Sequence, residues 1–204
     1  MNVPISRPCA LCVAVRDATA PGGCAFPYNR NLLETERFAV LPSVGPLFTG
    51  HVMVVSKMHF ASLASMGKPA MQEYDHLAQR LRRAPFLAEA LEAEHGSTAT
   101  DKAGACVIHT HIHWIPTVGR FFDDVGKRLN VMDSKRLETL ETEHLPYIFV
   151  RSDRRQAIYD SQGLPSQTIR RILCEIMERD DTDWMQAPRL DLVEQTIKAW
   201  DSAL

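Results

Sequence analysis

At 204 residues with 45% hydrophobic content, the chain has the size and composition of one globular domain, or of one domain with a sizeable extension. A formal net charge of −2 supplies no basic field for a nucleic acid polymer. No run of about 18 apolar residues marks a membrane span, no charged-then-apolar leader marks secretion, and 5 irregularly spaced cysteines fit a reducing cytoplasm better than a disulfide framework.

Residues 1–30 are rich in Pro, Gly and Cys and read as a loop-rich arm that contains RPCALC. LETERFAVLP (33–42) reads as a strand, SVGPLFTG (43–50) as a loop broken by Gly and Pro, and HVMVVS (51–56) as an apolar strand. KPAMQEYDHLAQRLRR (68–83) places Met71, Tyr74, Leu77, Ala78 and Leu81 at helical spacing. ALEAEHGS (90–97) reads as a strand running into a loop, and GSTATDKAGA (96–105) as a flexible segment. The stretch from Ala105 to Ile115 favours an extended chain. Beyond it, 135–153 reads as a partly helical connection followed by a short strand, PYIFV. SQTIRRILCEIMERD (166–180) is an amphipathic helix with Ile169, Ile172, Leu173, Ile176 and Met177 on one stripe and Ser166 at or just ahead of its cap. A last helix covers RLDLVEQTIKAWDSAL (189–204). The order predicts an α+β chain, divided into 1–120, which carries the chemistry, and 121–204, an extension on the same domain.

The chemistry concentrates in HTHIHWIP (109–116). On a strand, His109, His111 and His113 point one way, roughly 6.5–7 Å apart, while Thr110, Ile112 and Trp114 point into a core. That spacing is too wide for one ion to bind all three rings, and it suits a division of labour between metal, chemistry and support. Cys9 and Cys12, at C-x-x-C spacing, read as half of a zinc site or as two buried thiols, and less well as a redox pair, which normally follows a strand; the other half of a zinc site would come from among His51, His59, His95 and a strand histidine. Cys9, Cys12, His59 and His109 make a chemically complete tetrahedral set that would pin the arm. Other histidines read as structural: His95 in a turn, His76 on a helix surface, His144 in a loop. Phe26, Tyr28 and Phe38 are candidates for a base pocket, and Cys106 reads as buried.

HTHIHWIP resembles the signature of the histidine triad (HIT) superfamily, in which three histidines alternate with apolar residues ahead of a proline; Thr110 is the departure. EAEHGS resembles the acid-His-Gly turn upstream of the triad, FTGHVMVVSKMH the strand that opens on Gly-His and closes on Pro-Lys-x-His (Ser56 replacing the proline), and PCALC the N-terminal cysteine pair of zinc-bearing members. The motifs fall in family order across 9–116; residues 117–204 lie outside them. The resemblance implies an antiparallel sheet with a long helix, a nucleotide ligand, and cleavage or transfer at the α-phosphate through a nucleotidyl-histidine. It implies His111 as the nucleophile, His113 and His51 beside the phosphate, and a structural Zn2+ on Cys9, Cys12, His59 and His109. It further implies a possible homodimer through the strand and helix before the triad.

Two departures bear on substrate. Ser43 stands where many members carry the Asp or Asn that holds the ribose hydroxyls, and Ala105–Cys106 stand where Gln-Ser or Gln-Thr is common. The helix start at Gln167, Arg170 and Arg171 offers compensating phosphate contacts, against the plainer reading of a solvated helix face. The reading is therefore a nucleotide hydrolase, with a nucleotidyltransferase of the same superfamily and a non-catalytic nucleotide-binding or partner-binding protein as alternatives. A retained third histidine, His113, favours hydrolysis, because uridylyl-type transferases of the superfamily usually carry glutamine there.

Overall fold

Strand alternation gives this chain a sheet with two different faces, and each face is covered by different helices. The computed structural model describes residues 9–98, 107–117, 121–132, 137–140, 145–152 and 155–203. In chain order these form α1 (Ala10–Ala18), β1 (Leu33–Glu34), β2 (Phe38–Pro42), β3 (Val52–Ser56), α2 (Lys68–Leu81), β4 (Leu91–Gly96), β5 (His111–Ile115), α3 (Phe121–Gly126), α4 (Leu137–Leu140), β6 (Tyr147–Arg151), β7 (Gln156–Asp160), α5 (Thr168–Ile176) and α6 (Leu190–Ala203). The strands make one 7-stranded antiparallel sheet in the order β1-β2-β3-β5-β4-β6-β7. The fold is α+β, with the long helix α2 on one face and a largely helical C-terminal part.

The α2 face carries the larger core. Phe38, Val40, Val52, Val54, Ile112 and Trp114 from alternate strand positions meet Met71, Tyr74, Leu77, Ala78 and Leu81 of α2. Full burial of each large apolar side chain contributes about 1.5–3 kcal/mol. Two acids, Glu92 and Glu94, also point to this side and are buried. Glu92 is ion-paired with Arg82 and Arg151 and accepts from Tyr74 Oη, while Glu94 accepts from Tyr147 Oη and the Leu63 N–H.

The opposite face is covered at its two ends and open between them. At one end Val15 and Ala18 of α1 rest on Ala39, Leu41 and Val55. At the other, Phe121, Phe122 and Val125 of α3 and Ile172 and Leu173 of α5 rest on Leu91, Ile115, Ile148 and Val150. The cavity described below lies in the gap.

Several sequence expectations are corrected. From Ala10 the arm is a helix, with Cys9 at its cap and Cys12 in its first turn. Leu11, Ala14, Val15 and Ala18 supply the apolar stripe that the Pro and Gly around it obscured. The strand expected over 33–42 is a hairpin, β1 turning into β2, closed by the Thr35 N–H on the Phe38 carbonyl. The histidine strand begins at His111; the chain bends at His109, whose N–H donates to the Val107 carbonyl. Beyond 121, β6 and β7 continue the sheet, and β7 was not expected. At the start of α5 the cap is Gln167, in the left-handed region at φ 62°, so Ser166 sits just ahead of the cap, the second of its two expected placements. Ala105, Cys106 and His144 lie outside the described residues, as does most of 96–105.

Strand β4, ahead of the histidine strand, is interior to the sheet, pairing with β5 on one edge and with β6 on the other.

Candidate functional site

His111 and His113 project from β5 into the gap between α1 and the C-terminal helices, where they line a cavity of about 280 Å³. Its floor is sheet, from Leu41, Met53, Ala93 and Ile115; α1 contributes Leu11 and Ala14, and the C-terminal part contributes Trp184 and the start of α5. The rings lie edge to face, 5.3 Å between centroids.

Backbone partners assign the imidazole protons. The carbonyl of His109 accepts from His111 Nδ1 at 2.6 Å. A carbonyl can only accept, so Nδ1 carries the proton and Nε2 keeps its lone pair. The Leu47 N–H donates to His51 Nδ1 at 3.1 Å. His51 Nε2 must then carry the proton that meets His113 Nδ1 at 3.1 Å, which leaves His113 with an Nε2–H. A lone pair on His111 and a donor on His113 thus stand side by side.

All three rings are held neutral. Burial pushes His51 down to about 3, with the Arg170 cation adding to the effect. His113 is driven well below the ordinary imidazole value by burial first, then by His51, His111 and Arg170. His111 is lowered by burial, partly opposed by its bond to the His109 carbonyl.

A second constellation lies at the end of α1. The ligand atoms of Cys9, Cys12, His59 and His109 all fall within 4.8 Å of one another. Cys12 Sγ is 3.3 Å from His59 Nδ1 and 3.4 Å from His109 Nδ1, and Cys9 Sγ is 3.5 Å from His109 Nδ1. In tetrahedral zinc, with bonds of about 2.3 Å to sulfur and 2.0–2.1 Å to nitrogen, the S–N edge comes to about 3.5 Å. The donor set therefore fits zinc in type, number and spacing. The Ser56 carbonyl accepts from His109 Nε2 at 2.8 Å, leaving Nδ1 bare for a metal. The polypeptide link between the two constellations is short: His109 offers its ring to the cluster and its carbonyl to His111.

The other expected site residues divide. Ser43 lines the cavity and is buried, its N–H donating to the His51 carbonyl at 3.1 Å. Gln167 and Arg170 also line it, but with polar atoms already engaged. Gln167 bonds Asp183 and the Trp184 N–H, and Arg170 reaches the Gly45 carbonyl and both the carbonyl and carboxylate of Asp181. Arg170 is buried, contrary to the solvated-face reading, whereas Arg171 is exposed. Of the proposed base-pocket residues, Phe38 is in the α2 core, Phe26 is exposed, and neither they nor Tyr28 line the cavity. Trp184 does, and sequence reasoning missed it because it lies far from every motif.

The fold and site define an α+β protein with a histidine-lined cavity beside a Cys2His2 cluster. No family model matches the chain, and no curated protein matches it. Solved structures to which it is similar include a hypothetical histidine triad nucleotide-binding protein from Sulfolobus tokodaii (24% identity, TM-score 0.36, 43% of this chain and 59% of that one). Others are a HIT family hydrolase from Clostridium thermocellum (18%, TM-score 0.41, 56% and 95%) and a Zn-bound histidine triad family protein from Mycobacterium smegmatis (21%, TM-score 0.38, 55% and 77%). The chain spans 59% of the length of the Sulfolobus protein. Among the described residues no helix is long and apolar enough to cross a membrane.

Proposed function

We propose that this protein is a histidine-triad-type phosphohydrolase that cleaves at the α-phosphate of a nucleotide ester, phosphoramidate or dinucleotide. The observation that carries the reading is the bond from His111 Nδ1 to the His109 carbonyl, which leaves the Nε2 lone pair on a ring lining the cavity. Burial keeps that ring neutral and therefore nucleophilic at neutral pH.

In the first half-reaction the His111 Nε2 lone pair forms a bond to phosphorus. The bond from phosphorus to the leaving group breaks, and the leaving atom takes a proton from solvent. Water then attacks phosphorus and returns one proton to solvent, the P–N bond breaks, and Nε2 regains its lone pair. His113 contributes the Nε2–H that meets the developing negative charge, an interaction worth roughly 2–4 kcal/mol when one such donor is removed from a preorganised site. His51 holds His113 in the tautomer that can donate. Ser43, which lines the cavity, offers a short hydroxyl for a ribose contact. Cys9, Cys12, His59 and His109 would hold a structural Zn2+, which would fix the start of α1 and, through His109, the carbonyl that orients the nucleophile.

The test is turnover of a fluorogenic adenosine phosphoramidate and of a dinucleoside polyphosphate by wild type and His111→Asn. The variant is expected to bind nucleotide and turn over neither substrate. Turnover by His111→Asn at the wild-type rate contradicts the assignment.

A further inference from the structure

The loop 43–50, between β2 and β3, carries the N–H of Leu47 that assigns the His51 tautomer. It is held from outside by the C-terminal part of the chain. Arg170 Nη1 donates to the Gly45 carbonyl at 2.6 Å and Arg179 Nη1 to the Leu47 carbonyl at 2.8 Å. The Gly45 N–H donates to the Pro188 carbonyl at 2.9 Å, and the Gly50 N–H to Thr196 Oγ1 at 2.8 Å. The two arginines are joined through Asp181: its carboxylate receives Arg170 at 3.3 Å and Arg179 Nε at 2.8 Å, and its carbonyl receives Arg170 Nε at 2.9 Å. Gly45 is at φ +81°, and a Cβ there would run into the Trp184 side chain, so the C-terminal part meets the loop at contact distance.

This arrangement is an expensive way to provide packing alone. Apolar side chains would cover the loop without desolvating a buried guanidinium. What the forks add is direction: a guanidinium fixes the carbonyl it donates to in position and orientation. The carbonyls chosen belong to Gly45 and to Leu47 itself.

We propose that Arg170 and Arg179, locked together by Asp181, are positioning residues for the imidazole relay: they hold the backbone of Gly45 and Leu47 so that the Leu47 N–H dictates the tautomer of His51, and through it the proton on His113 Nε2. The role in turnover rests on the function proposed above, but the tautomer claim does not. It gives the C-terminal part a task in the chemistry, and it has Arg170, which lines the cavity, act through loop 43–50 by donating to the Gly45 and Asp181 oxygens.

The experiment uses the full-length, zinc-loaded chain with 15N-labelled histidine, comparing wild type, Arg179→Met and Arg179→Lys. Long-range 1H–15N spectra report which nitrogen of His51 carries the proton; kcat and KM are read on the adenosine phosphoramidate, and Tm alongside. Wild type is expected to hold one His51 tautomer. In Arg179→Met the two ring nitrogens move toward averaged shifts, and kcat falls roughly 10- to 100-fold, as for small misplacements of catalytic groups, with KM nearly unchanged. Arg179→Lys restores part of both. A lowered Tm with the His51 signals and kcat of wild type overturns the proposal, since that is the signature of packing alone. Should wild type turn over no substrate, the hydrolase reading fails by itself, and an unchanged His51 tautomer in Arg179→Met still decides against the clamp. If Arg179→Met does not fold, Asp181→Asn, which loosens the shared carboxylate at constant volume, takes the same readouts and the same overturning result.

Discussion

His51→Gln should flatten the acid limb of the stability curve. His51 is buried, and its native value is depressed to about 3 from 6.5. A group whose folded value lies below its unfolded one leaves stability intact above the unfolded value; stability then falls as the pH drops toward the folded value, because only the unfolded chain takes up the proton. Between about pH 7.5 and about pH 5 the unfolded ring gains nearly a full proton that the native ring refuses. At 1.36 kcal/mol per unit over about 1.5 units below 6.5, His51 alone accounts for about 2 kcal/mol. The assay is urea unfolding of zinc-loaded wild type and His51→Gln at those two pH values. Glutamine does not titrate, so wild type should lose about 2 kcal/mol more than the variant across the interval. Any acid loss of metal at the cysteine cluster is common to both proteins and cancels in the difference. Equal losses would refute the claim that burial holds His51 neutral.

Glu92→Ala removes the buried carboxylate shared by Arg82 and Arg151, leaving Arg151 only Asp75, and should cost about 3–5 kcal/mol, seen as a clear fall in Tm; an unchanged melt would mean the pairs contribute nothing. Cys12→Ser should reduce bound zinc from about one per chain to a small fraction and lower thermal stability with it, measured by metal analysis and melting in chelator. Wild type that melts identically with and without strong chelator contradicts a structural metal. Gly45→Ala places a side chain at φ +81° against Trp184 and should destabilise by at least about 1–3 kcal/mol in denaturant titration.

Much of the site was legible because its side chains sit in short, chemically unusual motifs. HTHIHWIP exposed the alternation that sends His111 and His113 to one face and Ile112 and Trp114 to the other, since a strand's period of two leaves little freedom. Cys9, Cys12, His59 and His109 could be grouped by ligand chemistry before any distance was available, and the chain does bring them together. What sequence could not supply was backbone. The groups that assign the tautomers are the carbonyl of His109 and the N–H of Leu47, and every residue has both. The bend at His109 was hidden for a related reason: periodicity continues through it, but the ring turns to the cluster at α1. Strand β7 was missed because QAIYD is short and lies against β6, with only Ile158 and Tyr159 buried. The arginine clamp on loop 43–50 was invisible because its partners are more than a hundred residues apart in sequence, joined only by the fold.

Attack of His111 Nε2 on phosphorus is the step on which the proposed hydrolase reading stands. Its most direct test is mass spectrometry of protein quenched at neutral to alkaline pH during turnover of the adenosine phosphoramidate, with peptide mapping of the acid-labile adduct. An adenylyl mass is expected on the peptide containing His111, present in wild type, absent in His111→Asn, and removed by brief acid treatment. Turnover with no adduct at any quench time, or an adduct mapped to a different residue and still formed by His111→Asn, would contradict it.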